Sequence, residues 1–483
     1  MKRSLTIVFF LQPGKVSREI FLAMRRGFEQ IGHVCLTVEL QQIWSALAAQ
    51  PGREAELLTQ ATASVMKLFA TRRVDLSIAM WHNALPSLAH GTRDGKMVTC
   101  FDLMTPPTPH LMYWLDAPHW SNAGTVREVI STGIFRAPML FSVVNNEATA
   151  EEMRGVLGFR HAMGLAYGVD VESLSGGGAG VGVGAGAGGL VDVTAAEMQR
   201  EMEAREFDLA FSLGPGDRPA SELALRELER DEPDIGAVRA EQATRVRGEL
   251  VALAERAGAS AREGVRAVLE RLLAMQLENR HEPMLRRLER IEAGDAGLGD
   301  ACEVMRGDFG LFIDATALVR QTEAAERAFT FGYLARRCTA LLFGDCDIGT
   351  WLGGSAKRTR IEAFAPDQGA MYRRARIGLS VMRWQDDAGV HIKPLEIAAA
   401  GCAVLVARRT GVEEMFERGT ECEVFDSLSE GARLVGAIAS DPARCVMMAG
   451  AARARVSRDH TWAQRAAAMV AEVERGVGGL VVR

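Results

Sequence analysis

Residues 371–425 read MYRRARIGLSVMRWQDDAGVHIKPLEIAAAGCAVLVARRTGVEEMFERGTECEVF, and their pattern decides the fold. Ile377 to Val381 is a short apolar run of the kind a buried strand requires, and the loop after it carries Asp386, Asp387, Gly389 and His391. A helix opens at Lys393-Pro394-Leu395-Glu396. Proline suits that first turn, where its missing N–H would be unpaired anyway. Gly401 closes the helix, Ala403 to Ala407 is the next apolar run, and Cys422 to Phe425 is another. A strand, a helix and a further buried strand in close succession predict a parallel sheet with crossover helices.

The same alternation extends outward. A helix near Ala324 to Arg337 leads to the strand Thr339 to Phe343, which stops at Gly344-Asp345. Phe207 to Leu213 reads as the strand that opens this second sheet, followed by the loop Gly214-Pro215-Gly216-Asp217-Arg218. From about 220 to 318 the pattern is helical and strongly charged, with an apolar stripe at Val265, Val268, Leu269 and Leu272 and another at Leu285 and Leu288. It predicts a helical insertion whose charge runs, such as residues 285–290, are solvated faces with i,i+4 pairs.

Upstream, Leu5 to Phe10, an amphipathic stretch from Ser17 to Gln30, and Val34 to Val38 form a βαβ opening. Val74 to Met80, Met97 to Phe101, Leu111 to Leu115 and Leu140 to Val144 are further strand candidates. The expected fold class is α/β, with two doubly wound domains at 1–204 and 205–465 and a closing helix and tail at 466–483. Residues 176–189, GGGAGVGVGAGAGG, read as a flexible linker. They lack the preceding strand and the helix that a dinucleotide fingerprint needs.

Bulk composition narrows the function classes. The 483 residues exceed what one hydrophobic core usually serves, so two domains are expected. A formal net charge of -6 gives no broad attraction for nucleic acid or anionic lipid, although a local basic pocket for phosphate is compatible with it. Leu5 to Leu11 is too short to span a bilayer, so no transmembrane segment is expected. Eight cysteines at 35, 100, 302, 338, 346, 402, 422 and 445 form no C-x-x-C pair. They are expected as free, buried thiols in a reducing cytoplasm, with no metal site.

Lys393 and Glu396 stand three apart at a helix start, on one face. With the unpaired N–H groups there, Lys393 makes a seat for a diphosphate, and Glu396 can accept from ribose hydroxyls. The alternative is that both merely decorate the helix start, where the dipole favours a Glu.

Further blocks add to this reading. Ile377-Gly378-Leu379-Ser380, Gly389, Lys393 with Glu396, Ala399-Ala400-Gly401, Glu421 to Phe425 and His460-Thr461-Trp462-Ala463-Gln464-Arg465 occur in a fixed order. This run resembles the C-terminal domain of group 1 glycosyltransferases, of the GT-B kind with two Rossmann-like domains, in the branch typified by the spore maturation protein CgeB. Tyr113-Trp114-Leu115-Asp116-Ala117-Pro118 resembles a turn of that branch's first domain, and Phe207 to Gly214 the opening of its second.

The resemblance implies a transferase that takes a nucleotide diphosphate sugar as donor substrate, with no separate cofactor and no metal. Glu396 would hold the ribose. Lys393 and the loop bearing Gly214, Gly216 and Arg218 would neutralise the diphosphate, and the loop after Gly344-Asp345 would meet the nucleobase. His391, in the loop before the helix, joins the donor-binding candidates. The wider group has two glutamates eight apart, but Ala388 stands eight before Glu396. The first carboxylate is therefore absent or replaced by Asp386 or Asp387. The acceptor, a glycan, protein or small molecule, would lie on the N-terminal domain.

Asp116 and His82 follow strands of that domain and are the candidates for general base. Asp116 reads equally as a turn former, and His82 reads more readily as an ordinary satisfied histidine than as a base. Two other functions remain open: a non-catalytic scaffold of the same fold that binds a partner through its helical insertion, and a nucleotide-sugar hydrolase or epimerase.

Overall fold

The computed structural model describes residues 3–84, 90–118, 123–176, 195–214, 221–344, 358–363, 367–384 and 388–478. The chain divides into two compact units: residues 1–168, 305–313 and 462–483, and residues 169–304 and 314–461.

The first unit is built on β1 (Thr6–Leu11), β2 (Val34–Glu39), β3 (Leu76–Met80), β6 (His110–Tyr113), β7 (Leu140–Val144) and β8 (Ala162–Gly164). They form one parallel sheet in the order β2-β1-β3-β6-β7-β8. β1, β3, β6 and β7 are buried on both faces, which is why they read as unbroken apolar runs. The helix Lys15–Gln30 lies against the helix Trp462–Gly476. Gly27 permits this approach, because a Cβ there would stand 2.5 Å from the Trp462 backbone. Trp462 meets Tyr113 edge to face at 5.7 Å, so the end of the chain completes this unit. Ile313, from residues 305–313, joins the same core as Phe10, Phe101 and Trp114.

The predicted strand Met97 to Phe101 differs. β5 (Lys96–Thr99) pairs antiparallel with β4 (His90–Arg93) in a separate hairpin, and Cys100–Leu103 is helical. Asp94 and Gly95 form the turn with φ of 51° and 73°, the positive angles that a two-residue hairpin loop demands.

The second unit carries β9 (Phe207–Leu213), β10 (Ala340–Gly344), β11 (Thr359–Glu362), β12 (Ala375–Ser380), β13 (Ala403–Ala407) and β14 (Cys422–Phe425). All pair in parallel, in the order β11-β10-β9-β12-β13-β14. Two doubly wound parallel sheets are therefore the architecture, as the alternation of elements predicts. Between β9 and β10 run helices that include Ile235–Ala254, Arg262–Glu278 and Glu326–Ala335.

Within that helical stretch Arg287 departs from the expected solvated face. Its side chain is 0% exposed and donates to Gln276 Oε1 and, at 3.2 Å, to the Asn279 carbonyl. Its neighbour Arg286 does lie outside, paired with Glu289 at 2.9 Å. Seven cysteines are described, all as free thiols, and only Cys35 among them is not fully buried. Among the described residues no helix is long and apolar enough to cross a membrane.

Candidate functional site

In an open parallel sheet, ligands gather beyond the carboxyl ends of the strands, at the point where strand order reverses. In the second unit β9 is the first strand, β10 and β11 lie on one side of it, and β12 on the other. The reversal falls between β9 and β12. At their carboxyl ends stand Gly214 and Val381 to Trp384.

Arg327 spans this point. On the first turn of the helix Glu326–Ala335, only 9% exposed, it donates to the Ser212 carbonyl at 3.1 Å and to the Val381 carbonyl. Its guanidinium carbon also lies 5.1 Å from the Phe211 ring centroid. A carbonyl near the end of β9 and one just past β12 thus share a donor, and a fixed positive charge sits beneath the crevice. Sequence patterning missed Arg327, because a buried arginine looks like any solvated helical one.

Gly344, at the end of β10, packs so closely on β9 that a Cβ would lie 2.1 Å from the Leu213 carbonyl oxygen. Gly378 has a similar reason to be in β12: a Cβ there would fall 2.4 Å from Ile397 Cγ2. The missing side chain lets the helix Lys393–Ala399 settle against the sheet, carrying Lys393 and Glu396 with it.

Lys393 Nζ donates to Glu396 Oε2 at 2.7 Å and also to Gln368 Oε1. Glu396 is 5% exposed. The seat of the helix against the sheet buries Glu396, and Lys393 keeps 19% of its side chain exposed. Tyr372 is fully buried, and burial together with the nearby Glu396 carboxylate raises its hydroxyl well above its ordinary pKa. That hydroxyl has no hydrogen-bond partner among the described residues.

His391 reports the electrostatics of the crevice. Burial, then the charges of Arg383, Lys393 and Arg327, hold its pKa well below the ordinary value, so the ring is neutral at pH 7. Arg409 adds a further cation next to this group, donating to the Arg383 carbonyl at 3.3 Å. Three cations thus act on His391, and one of them, Lys393, pairs with Glu396. Gly214, Gly344, His391, Lys393 and Glu396 are brought to this end of the sheet, whereas Gly216, Arg218, Asp345, Asp386 and Asp387 lie outside the described residues.

The first unit has its own reversal, between β1 and β3. Gln12, just past β1, accepts from Asn83 Nδ2, and its own Nε2 lies 2.7 Å from Met80 Sδ. Trp81 takes φ of 52°, unusual for an aromatic residue, as the chain leaves β3. His82 is 5% exposed and stacks on Trp114 at 6.1 Å. Burial lowers its pKa, and among the described residues its Nδ1 has no hydrogen-bond partner. Asp116 follows the neighbouring strand β6 and is half-buried, in a turn whose Leu115 carbonyl accepts from Tyr167 Oη.

Residues 323–471 match a family model described as glycosyl transferase-like, a stretch that includes Arg327, Lys393 and Glu396. No curated protein matches the chain. Among solved structures it is similar to a glycosyltransferase from Rickettsia africae ESF-5, at 8% identity over 99% of each chain with a TM-score of 0.47. It is also similar to Anabaena HepE in complex with UDP and glucose, at 12% identity over 97% of this chain and 99% of that one, with a TM-score of 0.44. A third is sucrose-phosphate synthase from Thermosynechococcus elongatus, at 10% identity over 99% of each chain with a TM-score of 0.48.

Proposed function

We propose that the chain is a glycosyltransferase of the GT-B kind, CgeB-like and cytoplasmic, that uses a nucleotide diphosphate sugar. The observation that carries this reading is the crevice between β9 and β12. There Arg327, Arg383 and Lys393 act together on His391, Arg409 hydrogen-bonds the Arg383 carbonyl, and Lys393 pairs with the Glu396 carboxylate. The glycosyl transferase-like match over residues 323–471 supports it.

In this scheme the diphosphate lies against Lys393 and Gly214, with Arg327 below, and Gly216 and Arg218 are assigned to it from the sequence alone. Negative charge grows on the diphosphate as the glycosyl bond breaks, and preorganised cations stabilise that charge without reorganising. The helix at Lys393 is only seven residues long, so side-chain charge rather than its dipole does most of this. Glu396 Oε2 is engaged by Lys393, and its other oxygen takes the ribose hydroxyls. The nucleobase lies toward Gly344 and Asp345, with His391 as a neutral neighbour. No metal is needed, because the cations already present match the leaving group's charge.

The acceptor proton goes to Asp116 or His82 at the corresponding end of the first sheet. A histidine kept neutral by burial is in the right protonation state for a base at pH 7, at some loss of basicity. Ala388, in place of a first glutamate, favours a second reading, a scaffold without catalysis. Incubation with UDP- and GDP-sugars labelled in the sugar separates the two. Label appearing on an acceptor supports transfer, label released as free sugar indicates a hydrolase, and intact donor in every case supports the scaffold.

A further inference from the structure

The second unit holds a cleft of about 620 Å³, within the roughly 300–1,000 Å³ range of small-molecule sites. One wall comes from the ends of β13 and β14 at Arg408 and Phe425. The opposite wall is the turn after the helix Arg262–Glu278, with Leu277 and Arg280. Glu323 and Glu326 form the floor.

Each arginine lining the cleft is paired with carboxylates, and Glu232 and Glu278 add further negative charge to the lining. Arg239 lies 3.0 Å from Glu323 and 3.5 Å from Glu326. Arg280 lies 3.3 Å from Glu323 and contacts Glu326. Arg408 is held by Glu413 at 2.9 Å and by Asp426. An anion entering here would face a carboxylate beside every arginine, and a metal on the floor would have to strip Glu323 and Glu326 of their arginines, while no three potential ligands among the described residues are grouped to hold one. A neutral polyhydroxyl ligand meets neither cost. Its hydroxyls donate to carboxylates and accept from guanidiniums, and an apolar C–H face can rest on the 41%-exposed Leu277.

Position adds to chemistry. Glu326 and Arg327 are consecutive on one helix, and the first faces this cleft while the second bridges β9 and β12. Arg409 acts on Glu326 and hydrogen-bonds the Arg383 carbonyl, so the cleft adjoins the cationic crevice.

We propose that this cleft binds a neutral saccharide, at a site separate from the acceptor position on the first unit. The proposal stands on the cleft alone and does not rest on the transferase reading.

The test is calorimetry on the full chain with glucose, N-acetylglucosamine, maltose and chitobiose, with UDP titrated separately. At least one saccharide is expected to bind. Arg280→Met should weaken it about tenfold by removing a charge-assisted donor. Leu277→Arg, at an exposed position that tolerates substitution, should block the mouth while UDP binding shows that the fold is intact. A chain that binds UDP but none of the four sugars overturns the proposal. So does saccharide binding that is unchanged in both variants, or displaced by inorganic phosphate. Saccharide binding without UDP binding supports the site and instead removes the transferase reading.

Discussion

Lys393 Nζ lies 2.7 Å from Glu396 Oε2, and the carboxylate it holds is 5% exposed. This ion pair links donor recognition to the stability of the helix start. Glu396→Ala should lower donor affinity by about 1.5–3 kcal/mol, the worth of a charge-assisted hydrogen bond. It should also lower Tm, because Lys393 is left half-buried without its carboxylate. Lys393→Ala should reduce turnover more than donor affinity, since the diphosphate gains charge only as the bond breaks. Calorimetry and thermal melts read both effects. A fall in Tm with unchanged donor binding and turnover would make the pair purely structural.

Arg327 should matter through its charge as well as its hydrogen bonds. Arg327→Met leaves the Ser212 and Val381 carbonyls without their donor, at a cost of about 1–3 kcal/mol for each buried group. It also removes one of the three cations that hold His391 down, so the His391 pKa should rise. Histidine titration by NMR checks this. An unaltered His391 titration in a folded Arg327→Met variant would disprove the electrostatic link.

Gly378→Ala tests how the helix is seated. The new methyl would stand 2.4 Å from Ile397 Cγ2, and overpacking of this kind costs about 1–3 kcal/mol. Donor affinity should fall with it, because Lys393 and Glu396 ride on that helix. Ile397→Ala in the same chain should restore part of the affinity, a coupling that a double-mutant cycle measures. Independent, additive effects would show that the contact does not set the site.

Acid should destabilise the first unit early. His110 is fully buried, with Nδ1 2.8 Å from Ser77 Oγ and its ring stacked on Phe101, and burial lowers its pKa to about 3. A depressed folded-state pKa means that the unfolded chain takes up the proton first. The stability is complete above the unfolded value near 6.5 and is lost as pH falls toward 3, at about 1.4 kcal/mol per pH unit. His82 and His161 shift in the same direction. Denaturant melts between pH 7 and 4 should show the slope, and His110→Gln should flatten it.

Much of the frame was legible because buried parallel strands are unbroken apolar runs. β1 and β13 announce themselves in this way, and β7, β9 and β12 do so as largely apolar runs despite Ser142, Asp208, Ser212 and Arg376. β8 and β11 did not, being edge strands of three and four residues, and β11 (Thr-Arg-Ile-Glu) is half-exposed. Asp94-Gly95 was a visible hairpin signal, yet Met97 and Val98 read first as a sheet strand. At the site, Lys393, Glu396 and the glycines could be placed from local pattern. Arg327, Arg409, Glu323 and Glu326 could not, because their burial depends on which helix covers which strand end.

Titration of UDP and GDP into the full chain by calorimetry tests the central claim most directly. The account predicts binding of one of them, weakened in Glu396→Ala and in Arg327→Met and falling as salt is raised. A well-folded chain that binds neither nucleotide would contradict it.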